Sequence, residues 1–181
     1  VVGVTAAAAP AAATVDKDGN VVIDVVGITD YHGRLAADGE VAGAAVLAGA
    51  VDAVRGENPD TVFVSSGDNI GASTFTSAVQ DDTPTLEALN MMDLEVSALG
   101  NHELDKGADD FSVRVNDESD FPYLAANVTG LDGVQDSHVW TSNGVSVGFI
   151  GIMTPALPSL VSPSGIEGVT VTDPAEAVDR V

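Results

Sequence analysis

Short apolar runs alternate with stretches of helical spacing along this chain. Val21-Val22-Ile23-Asp24-Val25-Val26-Gly27-Ile28 is nearly continuously apolar and predicts a mostly buried strand. Over residues 40–55 the period changes: Leu47, Ala50, Val51 and Val54 fall on one helical stripe, with small residues between them that allow close packing on a sheet. Asn58-Pro59-Asp60 ends that helix, and residues 61–65 form a second buried strand. Thr83 suits the cap and Pro84 the first helical position of a helix running through "TLEALNMM". Residues 94–99 predict a third strand, 109–116 a short helix, and "FPYLAANV" a fourth strand. "HVWTSNGVSVGFIGI" predicts a hairpin turning over Ser142-Asn143-Gly144, and Asp173-Pro174 starts a last helix. Strands alternating with helices indicate an α/β domain built on a largely parallel sheet.

The polar residues gain meaning when placed on this pattern. "TDYHG" follows the first strand, "SGDN" the second and "GNHELD" the third. Open α/β sheets bind ligands beyond the C-terminal ends of their strands, so three such loops converge in space although they are far apart in sequence. Asp30 and His32 offer a hard oxygen and an imidazole nitrogen from one extended segment. Asp68 carries two carboxylate oxygens, enough to bridge two cations roughly 3.5–4 Å apart. Asn101 adds a neutral carbonyl oxygen, and Gly100 before it lets the backbone approach closely. Asp105 stands three residues after His102, within reach of one ring nitrogen, which leaves the other to donate to a phosphoryl oxygen or a leaving group. Taken singly, each residue also has an ordinary reading as a turn, cap or solvated loop residue. Their joint placement favours the site.

Charge narrows the partners. The chain has 181 residues, no cysteine, and 28 acidic against 6 basic residues, a formal charge of −22. That balance opposes a nucleic-acid contact surface and docking on anionic membranes. Phosphate chemistry on such a chain needs positive charge from helix N-termini or bound cations. Without cysteine, any metal must be held by His, Asp, Glu or Asn. Residues 1–20 read as the remnant of an export signal or a disordered leader, and no other segment is long and apolar enough to span a bilayer. His138 reads as a surface histidine, Asn127-Val128-Thr129 as a weak glycosylation match, and Asp81-Asp82 together with "ADDFSVRVNDESD" as solvated surface.

Asp-x-His, then Gly-Asp, then Gly-Asn-His-Glu, in this order and each after a strand, resembles the calcineurin-like metallophosphoesterases. The fuller strings "ITDYHGRL", "GNHELD" and "PYLAANV" resemble the exported 5'-nucleotidase and UDP-sugar hydrolase branch. The likeness runs over residues 21–181 and implies the N-terminal portion of an α-β-β-α sandwich. By that resemblance Asp30 and His32 bind a first metal, Asp68 bridges to a second, Asn101 binds the second, and His102 is the catalytic histidine oriented by Asp105. It implies two divalent ions, of zinc, manganese, cobalt or magnesium, that activate water for in-line attack on a nucleotide or nucleotide-sugar phosphoester. Glu103 belongs to the motif without a ligand role. The family's further histidine ligands, in a Gly-His-x-His-type motif, and its C-terminal substrate-binding domain have no counterpart in these residues, so the chain by itself is expected to be inactive. The resemblance also implies an exported protein, periplasmic, wall-associated or extracellular. Two other readings remain open: a 2',3'-cyclic nucleotide phosphodiesterase, and a non-catalytic acidic secreted domain that binds cations or partners on the same fold.

Overall fold

The computed structural model describes residues 14–181. The proposed leader therefore lies largely outside the described residues. Its last part, from Thr14, carries an isolated bridge between Val15 and Val21, and the Thr14 N–H donates to Asp60 at 3.1 Å.

A five-stranded parallel sheet forms the centre: β1 (Asp24–Ile28), β2 (Thr61–Ser65), β3 (Val96–Ala98), β4 (Tyr123–Leu124) and a later strand β6 (Val134–Gln135), in the order β1-β2-β3-β4-β6. Helix α1 (Ala44–Glu57) connects β1 to β2, and α2 (Phe75–Ala78) and α3 (Thr83–Met91) connect β2 to β3. Between β3 and β4 a helical stretch passes from α4 (Ala108–Asp110) through a π turn at Phe111–Val115 into α5 (Asn116–Glu118). Two antiparallel pairs complete the molecule. Strand β5 (Val128–Thr129) pairs with β9 (Thr170–Val171), and β7 (Ser137–Ser142) pairs with β8 (Val145–Ile150). Short helix α6 (Leu157–Leu160) precedes β9, and α7 (Pro174–Arg180) follows it.

The hydrophobic pattern explains most of this. Val62 and Phe63 of β2 are fully covered, as a central parallel strand requires. Phe63 joins one core with Val51 of α1, Leu86 and Leu89 of α3, and Leu99, Leu104, Phe111 and Tyr123. The Phe111 and Tyr123 rings meet edge to face, with centroids 5.2 Å apart. Ser142 opposes Val145, so the hairpin loop is Asn143-Gly144, and both residues have positive φ, 46° and 81°. That is the backbone a two-residue hairpin with the strands' twist demands. Asp173 caps α7 by accepting from the Ala175 and Glu176 N–H groups at 2.9 and 3.0 Å.

Several expectations are corrected. Among the described residues the first strand is an edge strand with alternating exposure, Val25 being 55 % exposed on its uncovered face. Helix α1 begins at Ala44, after Gly43, and packs through Ala44, Leu47, Ala48 and Val51 while Ala50 faces solvent. At α3 the cap position belongs to Asp82, in the left-handed region at φ 67°, and the Thr83 hydroxyl instead donates to Glu118. Asp82 is buried, accepting from the Ser77 hydroxyl at 2.6 Å, and Asp110 is paired with Arg114 at 2.6 Å. Neither is the freely solvated carboxylate that the local acidity suggests. The glycosylation match fails outright: Asn127 is fully buried, and its amide donates to the carbonyls of Met153 and Thr172.

Candidate metal centre

Parallel pairing of β1, β2 and β3 puts three loops side by side at one sheet edge. The first two are zipped by backbone hydrogen bonds that continue the ladder past the strand ends: Asp30 N–H to Gly67 O, His32 N–H to Asp68 O, and Gly33 N–H to Asn69 O, at 3.1–3.2 Å. Asp30, His32 and Asp68 all have positive φ, between 46° and 54°. Such conformations cost of order 1–3 kcal/mol each for non-glycine residues and persist where the surroundings enforce them.

The His32 Nδ1–H donates to the Gly71 carbonyl at 2.7 Å, which leaves Nε2 with its lone pair. Asp30 Oδ1 lies 3.8 Å from that Nε2, and the other Asp30 oxygen accepts from the Thr29 hydroxyl at 2.5 Å. Asp68 Oδ1 accepts the His102 backbone N–H at 3.0 Å, which fixes the second loop against the third. The His102 Nδ1–H donates to Asp105 Oδ2 at 2.8 Å, so both imidazoles have one nitrogen tied and the other available. Burial of the His102 ring lowers its pKa, but the hydrogen bond and charge of Asp105, with the charges of Asp68 and Glu103, outweigh this and raise it above 6.5.

Ligand atoms of His32, Asp68 and His102 lie within 4.8 Å of one another, a spacing suited to a common cation. The donor set of imidazole nitrogen and carboxylate oxygen suits a divalent metal, and the hydrogen bond on its opposite nitrogen orients the His32 ring as a metal-binding histidine requires. Among the described residues this is the group that gathers three such donors. Asp30 stands at its margin beside His32, and Asn101 immediately precedes His102 at the head of the 3₁₀ turn His102–Leu104. His138 lies elsewhere, its Nε2 2.7 Å from Glu95. All six sequence-derived residues thus lie in the converging loops.

Glu103 is the residue that sequence reasoning passed over. It is 2 % exposed, and its carboxylate accepts three backbone N–H groups: Asp68 at 3.0 Å, Asn69 at 2.8 Å and Gly100 at 2.9 Å. Burial pushes its pKa up to about 7, with the backbone donors of Asn69 and Asp68 opposing and the Asp68 charge adding to the rise. Nothing in "GNHELD" tells a buried acceptor from a solvated glutamate; only the loops it touches do. Asn69 is missed for the same reason, its buried amide joining the hydroxyls of Ser65 and Ser97 at 2.6 and 2.9 Å. Beside Asp105 a cleft of about 470 Å³ opens, lined by Lys106, Asp109, Ser162, Ser164 and Glu167 among others.

Comparison with known proteins finds sequence relatives and solved structures of similar fold. No family model matches the chain. A cell wall protein of Listeria monocytogenes is 33 % identical over 87 % of this chain and 25 % of its own length. A 5'-nucleotidase of Vibrio cholerae is 26 % identical over 92 % of the chain and 31 % of its own length. The crystal structure of a calcineurin-like phosphoesterase from Bacillus subtilis superimposes with a TM-score of 0.71 at 27 % identity, covering 87 % of this chain and 56 % of that one. The chain resembles the calcineurin-like phosphoesterases and 5'-nucleotidases in sequence and fold. It matches the N-terminal part of their catalytic domain and spans only about a quarter to a third of those two sequence relatives. Among the described residues, no helix is long and apolar enough to cross a membrane.

Proposed function

We propose that the protein carrying this chain is an exported, divalent-metal-dependent hydrolase of nucleotide phosphoesters, of the 5'-nucleotidase type. The observation that carries the reading is the meeting of His32, Asp68 and His102 from three successive loops, with both imidazole Nδ1 atoms already bonded elsewhere. Similarity to a Vibrio cholerae 5'-nucleotidase supports the substrate class, and similarity to a cell wall protein supports export.

In this reading Asp30, His32 and Asp68 would hold one divalent ion, and Asp68 and Asn101 would contribute to a second. Bound metal supplies the positive charge that binds phosphate and the acidity that activates water for attack on phosphorus. The chain's own residues do the rest. Asp105 fixes the His102 tautomer, so that Nε2 faces the reacting group. With its raised pKa, His102 carries a proton that it donates to a phosphoryl oxygen or the leaving alkoxide. The polar cleft bordered by Asp105, the residue that holds His102, offers room for the alcohol part of the ester.

The test is phosphate release from AMP and UDP-glucose by the full-length protein supplied with manganese or zinc. Turnover of AMP that stops with a chelator supports the reading. Stoichiometric metal binding without turnover of either substrate points to the non-catalytic cation-binding domain instead.

A further inference from the structure

Besides the His102 N–H to Asp68 Oδ1 bond, two different devices hold the three loops to one another. Between the first and second, backbone groups pair directly and extend the β1–β2 ladder past the strand ends. No such ladder is available between the second and third loops, because Asp68 turns into the left-handed region and the chain at Gly100 leaves the sheet to enter the His102–Leu104 turn. The N–H groups of Asp68, Asn69 and Gly100 instead point at one place, a concavity of the kind that binds anions. The Glu103 carboxylate fills it: Oε2 accepts from Asp68 and Gly100, and Oε1 from Asn69. Space is closed around this contact, since a Cβ built on Gly100 would collide with Asp68 Oδ1, Asp68 N and Glu103 Oε2.

Resting on the metal-centre reading above, we infer that Glu103 is the positioning residue of the site: a built-in anion whose carboxylate sets where Asp68 stands relative to Asn101 and His102. It touches neither substrate nor cation. Its effect passes through the backbone N–H of Asp68, the residue whose side chain must face a cation. A carboxylate is needed because all three contacts are donors. Glutamine would turn an amide N–H₂ towards at least one of them, and aspartate is one methylene too short to reach both loops at once.

The experiment compares the unaltered full-length protein with Glu103→Gln and Glu103→Asp, reading Mn²⁺ affinity by calorimetry, folding by near-UV circular dichroism, and kcat against KM for AMP. The expected result is a folded Glu103→Gln protein whose Mn²⁺ affinity is lower by about 10–100-fold, with no recovery in Glu103→Asp. A folded Glu103→Gln protein that binds Mn²⁺ as tightly as the unaltered one overturns the inference. Amide hydrogen exchange on the unaltered protein decides the matter if either variant fails to fold. Asp68, Asn69 and Gly100 amides protected to the level of core strand amides support the clamp, and amides exchanging at open-loop rates refute it. Absence of Mn²⁺ binding by the unaltered protein would defeat the metal-centre reading instead, and the exchange data would still judge the clamp.

Discussion

His32 and His102 stand edge to face, with ring centroids 4.9 Å apart and planes inclined by 82°. They come from loops after different strands, yet each has Nδ1 bonded, to the Gly71 carbonyl and to the Asp105 carboxylate respectively. The difference in partner separates their roles. In the proposed site the carbonyl partner orients His32 towards a cation, whereas the Asp105 carboxylate makes His102 more basic and suited to carry a proton.

Replacing His102 with Asn in the full-length protein is therefore expected to lower kcat for AMP by roughly 10²–10⁴. His32→Asn is expected to lower metal affinity first and rate only as a consequence. Steady-state kinetics over a range of Mn²⁺ concentrations separates the two: added metal recovers His32→Asn and leaves His102→Asn impaired.

Gly100→Ala tests how tightly the second and third loops are packed. The new methyl group meets the Asp68 backbone and the Glu103 carboxylate, neither of which is free to move away. Overpacking of this kind costs about 1–3 kcal/mol, and here it also displaces Asp68. Loss of Mn²⁺ binding with a lowered unfolding midpoint is the expected outcome, and normal binding would show that the loops yield.

The opposite end of the sheet supplies a pH dependence. Asp60, inaccessible to solvent, accepts the Ser142 hydroxyl at 2.5 Å, the Asn143 amide, and the Thr14 N–H. The Ser142 hydrogen bond, with those of Asn143 and Thr14, holds its pKa below the ordinary 3.8 against the opposing effect of desolvation. Because the folded pKa is depressed, the contribution is present above the unfolded value and disappears as pH falls through the folded one. Urea unfolding followed from pH 7 down into the acid range is expected to show a shallower loss of stability for Asp60→Asn than for the unaltered protein.

Asn127 is expected to carry no glycan when the protein is secreted from a glycosylating host, as intact-mass measurement would show. Its side chain also accepts the Met153 N–H at 2.8 Å, so Asn127→Ala strands buried backbone groups on both sides. That loss is worth about 1–3 kcal/mol in urea unfolding.

The strands, the hairpin loop and the last helix cap were legible because each is written in a few neighbouring residues. The apolar run 61–65, Asn143-Gly144 and Asp173-Pro174 carry their geometry in period, backbone preference and side-chain reach. Parallel order then follows from alternation with helices, and with it the convergence of Asp30, His32, Asp68, Asn101, His102 and Asp105 at one edge. What no local pattern contains is which polar residue becomes buried. Val25 is exposed because its face of the edge strand is uncovered, and Asp82 is covered because α2 brings Ser77 to it. Glu103 became the clamp between two loops because the N–H groups of Asp68, Asn69 and Gly100 were left facing it once β2 and β3 had paired. The sequence by itself set which residues could bind a cation, through their chemistry and strand-end placement. Only tertiary structure decided their mutual distances and the residue that holds them, since a hydrogen bond across some thirty-five positions depends on the whole sheet being formed.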